Sequence, residues 1–332
     1  MRCVALLSGG LDSHLAVRLM QQQGLEVVAL HCRSPFAVGP DRAEQAATCL
    51  GVPLTIVSLG DDYLDIVRQP RFGYGRGANP CVDCRVHMFS LARSCLQQHE
   101  AQFVVSGEVV GQRAGSQKRR DLDTIAHHSG LHERLLRPLS ARLLPVTLPE
   151  RAGWVDREKL YGFYGRGRRG LIQLARALGI DEIPTPSTGC VLTEPPFARK
   201  VFDLLQHQTR AGRWDFELLK FGRHFRLNNQ CKVVLGRREA ENHQLEHLHA
   251  VPEAGESTLL APDGFVGPTA LVVGPLTDQA YAFACELMHQ FARKPIDPAG
   301  RVRVRCGDAS YCRTLTPDPR TTAAQRNIAD VV

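Results

Sequence analysis

Short apolar runs alternate with helical patterns through the first half of the chain. Residues 3–7 form an unbroken apolar run of strand length. Residues 13–23 place Leu15, Leu19 and Met20 on one helical face before Gly24 stops them. The pattern predicts a second strand over 26–31, a helix over 41–50 ended by Gly51-Val52-Pro53, and a third strand over 54–59. A helix over 86–99 leads to a fourth strand over 103–106. Strands alternating with helices imply right-handed crossovers and a parallel sheet, with ligands beyond the carboxyl ends of its strands.

After Pro149 the pattern changes. Residues 150–179 predict helix and carry the basic stretch 164–170, and a Pro-, Thr- and Gly-rich loop over 184–196 leads to a helix over 198–208. From about Trp214 the composition is that of a small α+β module. Strands are expected at 232–235, around Leu259-Leu260 and at 271–273, with helices over 239–249 and near 278–293. Residues 295–332 hold Pro, Asp, Thr and Arg with little periodicity and predict a disordered tail. The expected organisation is an α/β domain over 1–210, an α+β domain over 214–294 and a basic tail.

Composition narrows the class. The 332 residues are 43% hydrophobic and 23% charged, which excludes a largely disordered or fibrous chain. No apolar run approaches the roughly 18 residues of a membrane span. The first residues show neither a charged leader nor a cleavage site, so a cytoplasmic protein is expected. The net charge of +7 permits an acidic partner without demanding one. From Arg293 onward there are 8 Arg or Lys against 4 Asp, so the rest is only mildly basic. Eleven cysteines, an odd count in a chain of this length, point away from a disulfide framework and toward thiol or metal chemistry.

Ser8-Gly9-Gly10-Leu11-Asp12-Ser13 lies between the first strand and the first helix. Glycines let the backbone turn sharply, and free amides at a helix N-terminus bind anions. An ordinary turn capped by Asp12 or Ser13 would use the same residues. No Gly-Lys-Ser/Thr follows, so this is not a Walker A loop. Cys81-Val-Asp-Cys84 stands in a loop ahead of a predicted helix, a spacing that grips a metal or cycles as a redox pair. Cys190 follows Gly189, which suits an exposed ligand, although a lone cysteine is also a small buried hydrophobe. His127, His128 and His132, and the i, i+4 pair His243 and His247, invite a metal reading, but their polar surroundings favour solvated helix surface.

The full strings carry more than their residue types. Ser8 to Ser13 resembles the pyrophosphate loop of the PP-loop ATPases, which cleave ATP between the α and β phosphates and adenylate a carbonyl oxygen. The resemblance assigns Ser8, Gly9, Gly10 and Ser13 to pyrophosphate, Asp12 to magnesium or the reacting centre, and Leu30, His31 and Cys32 to adenine. The CxxC after Asn-Pro, with the distant Gly-Cys, resembles the cluster-dependent branch of the tRNA thiouridylases. There three cysteines, here Cys81, Cys84 and Cys190, hold a [4Fe-4S] cluster whose open iron carries sulfur. The persulfide branch offers a rival role for two of them as a nucleophilic pair. The string Ser106-Gly-Glu-Val-Val-Gly-Gln-Arg113 is similar to the same proteins and puts Gly107, Glu108, Gln112 and Arg113 in the nucleotide or target-base pocket. Gln117, Lys118, Arg119 and Arg120 read equally as a solvated loop.

Residues 219–227 with 232–239 and 267–270 resemble RNA-binding modules of the NFACT-R type. Candidates for phosphate contacts are Lys118, Arg119 and Arg120, then Arg166, Arg168 and Arg169, then Lys220, Arg223 and Arg226, and Arg237 with Arg238; each reads equally as a solvated face. The implied activity is ATP-dependent tRNA thiolation using ATP, Mg2+ and a [4Fe-4S] cluster, with tRNA, a sulfur donor and a second copy of the chain as partners. Two alternatives stay open: a PP-loop sulfurtransferase or ligase for a small molecule, and a non-catalytic nucleotide- or RNA-binding protein.

Overall fold

The first five strands are each short, apolar and followed by a crossover, and they build one parallel sheet. In the computed structural model, which describes residues 1–180, 189–295, 297, 300–317 and 327–329, the chain divides into two units, Met1–Thr193 and Glu194–Val332. The first runs β1 (Arg2–Leu6), α1 (Leu11–Gln22), β2 (Glu26–Arg33), α2 (Ala43–Leu50), β3 (Leu54–Ser58), α3 (Asp61–Arg68), α4 (Cys81–Gln98), β4 (Phe103–Ser106), α5 (Arg119–His128), β5 (Leu135–Leu136), α6 (Leu148–Arg151) and α7 (Arg169–Ala177).

The strand order is β3-β2-β1-β4-β5, so the chain leaves β1 toward one edge and returns to its other side with β4. That reversal at β1 is where an open α/β sheet leaves a crevice for ligand. Both faces are covered. Leu15, Leu19, Leu171 and Leu174 pack with Ala5 and Phe103 on one side, and Phe89, Leu96 and Ile125 pack with Val4 and Val104 on the other. Burial on both faces explains why these strands are apolar throughout instead of alternating.

Two expectations are corrected in this unit. The helix over 150–179 is only the short α6 and α7. Gly153 and Gly165 take positive φ between them, and a single 3-10 turn spans Arg157–Lys159. The CxxC opens α4 instead of preceding it, with Pro80 at the N-cap, where a missing N–H costs the helix nothing.

The second unit contains α8 (Pro195–His207), α9 (Arg213–Leu218), β6 (Arg223–Arg226), β7 (Lys232–Leu235), α10 (Glu239–His249), β8 (Ser257–Asp263), β9 (Ala270–Val273), α11 (Asp278–Gln290), β10 (Arg301–Cys306) and β11 (Ala309–Thr314). Its sheet is antiparallel, in the order β11-β10-β8-β9-β7-β6. Val233 and Leu235 face α11, while Val234 faces α9 and α10.

The disordered tail is corrected as well. Residues 301–306 and 309–314 form two strands of this sheet, and Val302 and Val304 are fully buried against Phe283 and Leu287. Arg301, Arg303 and Arg305 alternate with those valines. The segment is therefore a half-buried strand whose apolar positions are outnumbered by charge. The boundary between units falls at Thr193, ahead of the expected 210.

Candidate active site

The phosphate loop is shaped by one glycine and two serines. Gly9 takes φ +75°, and a Cβ there would lie 2.7 Å from Arg42. Ser13 Oγ donates to the Gly10 carbonyl (2.8 Å) and accepts from Ser8 N (3.3 Å), while Ser8 Oγ accepts from Gly10 N (3.4 Å). No side chain caps Gly10, and the His14 amide bonds back to the Gly10 carbonyl at 3.2 Å. The amides of Leu11, Asp12 and Ser13 therefore have no partner within the helix and present an anion seat.

This seat opens on a cavity of about 350 Å3. Gln112 Nε2 donates to Asp12 Oδ2 at 2.9 Å, whereas Asp12 Oδ1 is buried and has no hydrogen-bond partner. Burial pushes the Asp12 carboxyl up, against the opposing pull of Gln112 and the charges of Arg168 and Arg113. An orphaned carboxylate oxygen beside an anion seat fits a hard divalent cation such as magnesium.

Gly107 is demanded by the same packing. A Cβ on it would stand 2.4 Å from the Asp12 carbonyl oxygen, so β4 reaches the loop only without a side chain. Glu108 is buried, accepts from Arg137 Nε at 2.9 Å and lies 3.7 Å from Arg85 Nε, an ion-pair frame for the cavity floor. Leu30, His31 and Cys32, near the end of β2, also line the cavity, and His31 Nδ1 lies 2.9 Å from the Leu7 carbonyl oxygen.

Three lining residues depart from the sequence reading. Gln117 is buried in the cavity wall, not solvated, and its Oε1 has no partner. Arg166 and Arg168, read as candidates for RNA phosphate or as solvated surface, line this cavity instead. The Gly165 amide donates to the Val110 carbonyl at 2.7 Å, and this tie holds the arginine loop beside Gln112 and Arg113. Spacing alone gives no sign of that tie.

The three cysteines gather from two distant segments. Cys190 bridges Ala37, Val191 N donates to the Phe36 carbonyl (3.0 Å), and Ala78 N donates to the Leu192 carbonyl (2.9 Å). These bonds bring Cys190 near enough to Cys81 and Cys84 for their charges to act on its thiol. The Tyr63 hydroxyl donates to Cys84 Sγ at 3.4 Å. Burial pushes all three thiols up, Cys190 to about 12. Arg85 and Arg113 pull Cys81 the other way. Among the described residues no group of three or more His, Cys, Asp or Glu closes around a point as a metal site. The donors nonetheless suit soft thiolate ligation, in a place that a cationic centre would deprotonate. Part of the expected Cys190 loop, residues 184–188, lies outside the described residues.

Other candidates separate out. His128 and His132 touch His127 edge to face, and His243 carries only distant carboxylate neighbours, Glu239 and Glu246, both at 3.9 Å. Several expected phosphate-binding cations have carboxylate partners: Arg226 with Asp203, Lys220 with Glu217, and Arg237 with Glu241.

Residues 1–142 match the family described as thiamine biosynthesis protein (ThiI). That match takes in β1 to β5 of the first unit. Residues 222–324 match the NFACT protein RNA binding domain, a span that takes in β10 and β11. A probable tRNA sulfurtransferase of Methanothermobacter thermautotrophicus is 33% identical over 42% of this chain and 36% of its own length. A tRNA-specific 2-thiouridylase of Trichlorobacter lovleyi is 28% identical over 43% of each. The chain thus spans less than half the length of these curated relatives. A solved 4-thiouridine synthetase–RNA complex with bound ATP resembles it only loosely, at 21% identity and a TM-score of 0.39 over 57% of this chain and 44% of that one. Among the described residues no helix is long and apolar enough to cross a membrane.

Proposed function

We propose that the protein thiolates tRNA at the expense of ATP. One observation carries this reading: the cavity and the cysteines share two arginines. Arg113 and Arg85 both line the cavity, and their charges act on Cys81. An adenylation site and a thiol site are therefore neighbours in one ThiI-type unit.

The triphosphate lies on the amides of the Ser8–Ser13 loop, with Arg166 and Arg168 over it. Asp12 would hold magnesium through its unpartnered oxygen, which would supply charge neutralisation for the phosphates, while Gln112 fixes the other oxygen. A uridine carbonyl oxygen attacks the α-phosphorus and pyrophosphate leaves, its charge met by the loop amides and the arginines. A sulfide-level sulfur nucleophile from the donor then attacks the activated carbon, forming the C–S bond as the C–O bond breaks and AMP leaves with its electron pair.

Cys81, Cys84 and Cys190 would hold a [4Fe-4S] cluster, which when bound supplies an iron site for the sulfur. Their thiols are held protonated by burial, so loading must expel protons and weakens as pH falls. tRNA reaches the protein through the second unit, and an external donor supplies sulfur to a soluble cytoplasmic enzyme. Two copies acting together fit the same scheme.

The test is twofold. Anaerobically purified protein is expected to contain iron, and a Cys81→Ala variant to lose tRNA thiolation while retaining ATP binding. Iron-free protein, or a variant that thiolates normally, sinks the cluster assignment. An unchanged thionucleoside profile in tRNA from a deletion strain sinks the tRNA reading. It would favour sulfur transfer to a small molecule, which the thiamine description of the matching family also suggests.

A further inference from the structure

The second unit holds a cavity of its own, about 640 Å3, well within the range of ligand sites. Its wall includes Trp214, Gln208, Asp215, Arg226 and Lys232, with Glu253 and Glu256 at the exposed rim. Most of these groups are already satisfied. Asp215 Oδ2 accepts from Gly212 N (2.7 Å) and Gln208 Nε2 (3.0 Å), Arg226 Nε donates to Asp203 Oδ1 (3.1 Å), and Trp214 Nε1 donates to the Leu248 carbonyl (2.8 Å).

Lys232 is the exception. It is 3% exposed, and its Nζ has no hydrogen-bond partner. Burial pushes it down to about 8, against the raising effect of Asp215 and Asp203. A buried ammonium without a partner costs stability, and a ligand acceptor seated in the cavity would recover that cost.

The wall also says what kind of ligand. Its carboxylates, Asp215, Glu253 and Glu256, outnumber its cations, and Arg226 is already neutralised by Asp203. A phosphate would meet net repulsion there. A neutral planar group with hydrogen-bonding edges suits the mixture of ammonium, amides and carboxylates. Single-stranded RNA offers such groups as unstacked bases, which proteins read edge by edge.

We propose that this cavity takes one splayed-out base of bound RNA, with Lys232 Nζ donating to an acceptor on the base edge. The inference rests on the RNA-binding reading of the second unit and goes beyond it by assigning a base pocket. A pocket of this kind contributes recognition without counterion release, because its cation meets no phosphate.

The experiment is fluorescence anisotropy of the full chain with a labelled single-stranded RNA of mixed sequence, titrated across a range of salt concentrations. For Lys232→Met we expect affinity about tenfold weaker with an unchanged salt slope, the loss of one charge-assisted hydrogen bond to a base edge. Gln230→Trp, at an exposed rim position, is expected to block the cavity and give the same loss with Lys232 intact. It keeps the test decisive if Lys232→Met fails to fold. A slope reduced by about 0.7 in Lys232→Met would mean a phosphate contact and overturn the base pocket. Unaltered affinity in both variants would also overturn it. If the unmodified chain binds no RNA at any salt, the RNA reading itself falls, and the pocket with it.

Discussion

The two cavities differ in how their charge is arranged. In the first unit, four arginines and a set of free helix amides line the cavity that also holds the unpartnered oxygen of Asp12. In the second, a single unpartnered ammonium is outnumbered by carboxylates and accompanied by amides. The first suits a polyanion carrying a divalent cation, and the second a neutral polar group. Cavity volume would not separate them, since the larger holds the weaker field. The orphaned buried atom is the more telling feature: an acceptor in one and a donor in the other, each naming the charge of what would complete it.

The contrast can be attacked from its strongest point downward. Asp12→Ala should lower ATP-dependent pyrophosphate release by at least about 100-fold while leaving RNA affinity in place. A parallel loss of RNA binding would show that the two sites are not separable. Gly107→Ala forces a methyl group to within 2.4 Å of the Asp12 carbonyl oxygen. It should cost about 1–3 kcal/mol, read as a lower denaturation midpoint, and weaken ATP binding as the loop shifts. Arg168→Ala should raise the KM for ATP about tenfold, the worth of one charge-assisted hydrogen bond, while Arg226→Ala should not change it. An equal effect from both would erase the distinction between the cavities.

The smallest effect concerns pH. Burial holds Lys200 and Lys232 at about 8, whereas unfolded lysines titrate near 10.4. Between those values the unfolded chain binds more protons, so stability should rise as pH goes from about 8 to about 10. Urea midpoints of the full chain should show this rise and lose part of it in Lys232→Met. A flat profile would place both ammonium groups in water.

What could be read from the sequence followed the same division. Strands buried on both faces announce themselves as apolar runs, and β1 to β4 were legible within two or three residues. The phosphate loop was legible because all its parts are contiguous. Arg166 and Arg168 were not, because a backbone tie from Gly165 to Val110 decides where their loop lies. Gln117 was lost among the basic residues that follow it. Strand β10 was missed for a different reason. Its Arg-Val-Arg-Val-Arg alternation has the strand period, but the three arginines outnumber the two buried valines, Val302 and Val304. Glu150 to Gly179 failed through its glycines, which break a helix that the apolar spacing alone permits.

Strand order also has a consequence for synthesis. β8 lies between β9 and β10, so one of its edges stays open until residues 301–306 have left the ribosome. The parallel sheet of the first unit needs nothing beyond residue 136. As the chain grows, the parallel sheet can therefore close early, Cys190 arrives later beside Cys81 and Cys84, and the antiparallel unit waits longest with an exposed strand. A ribosome that pauses after β8 has emerged and before residues 301–306 have would hold that edge open to neighbouring nascent chains.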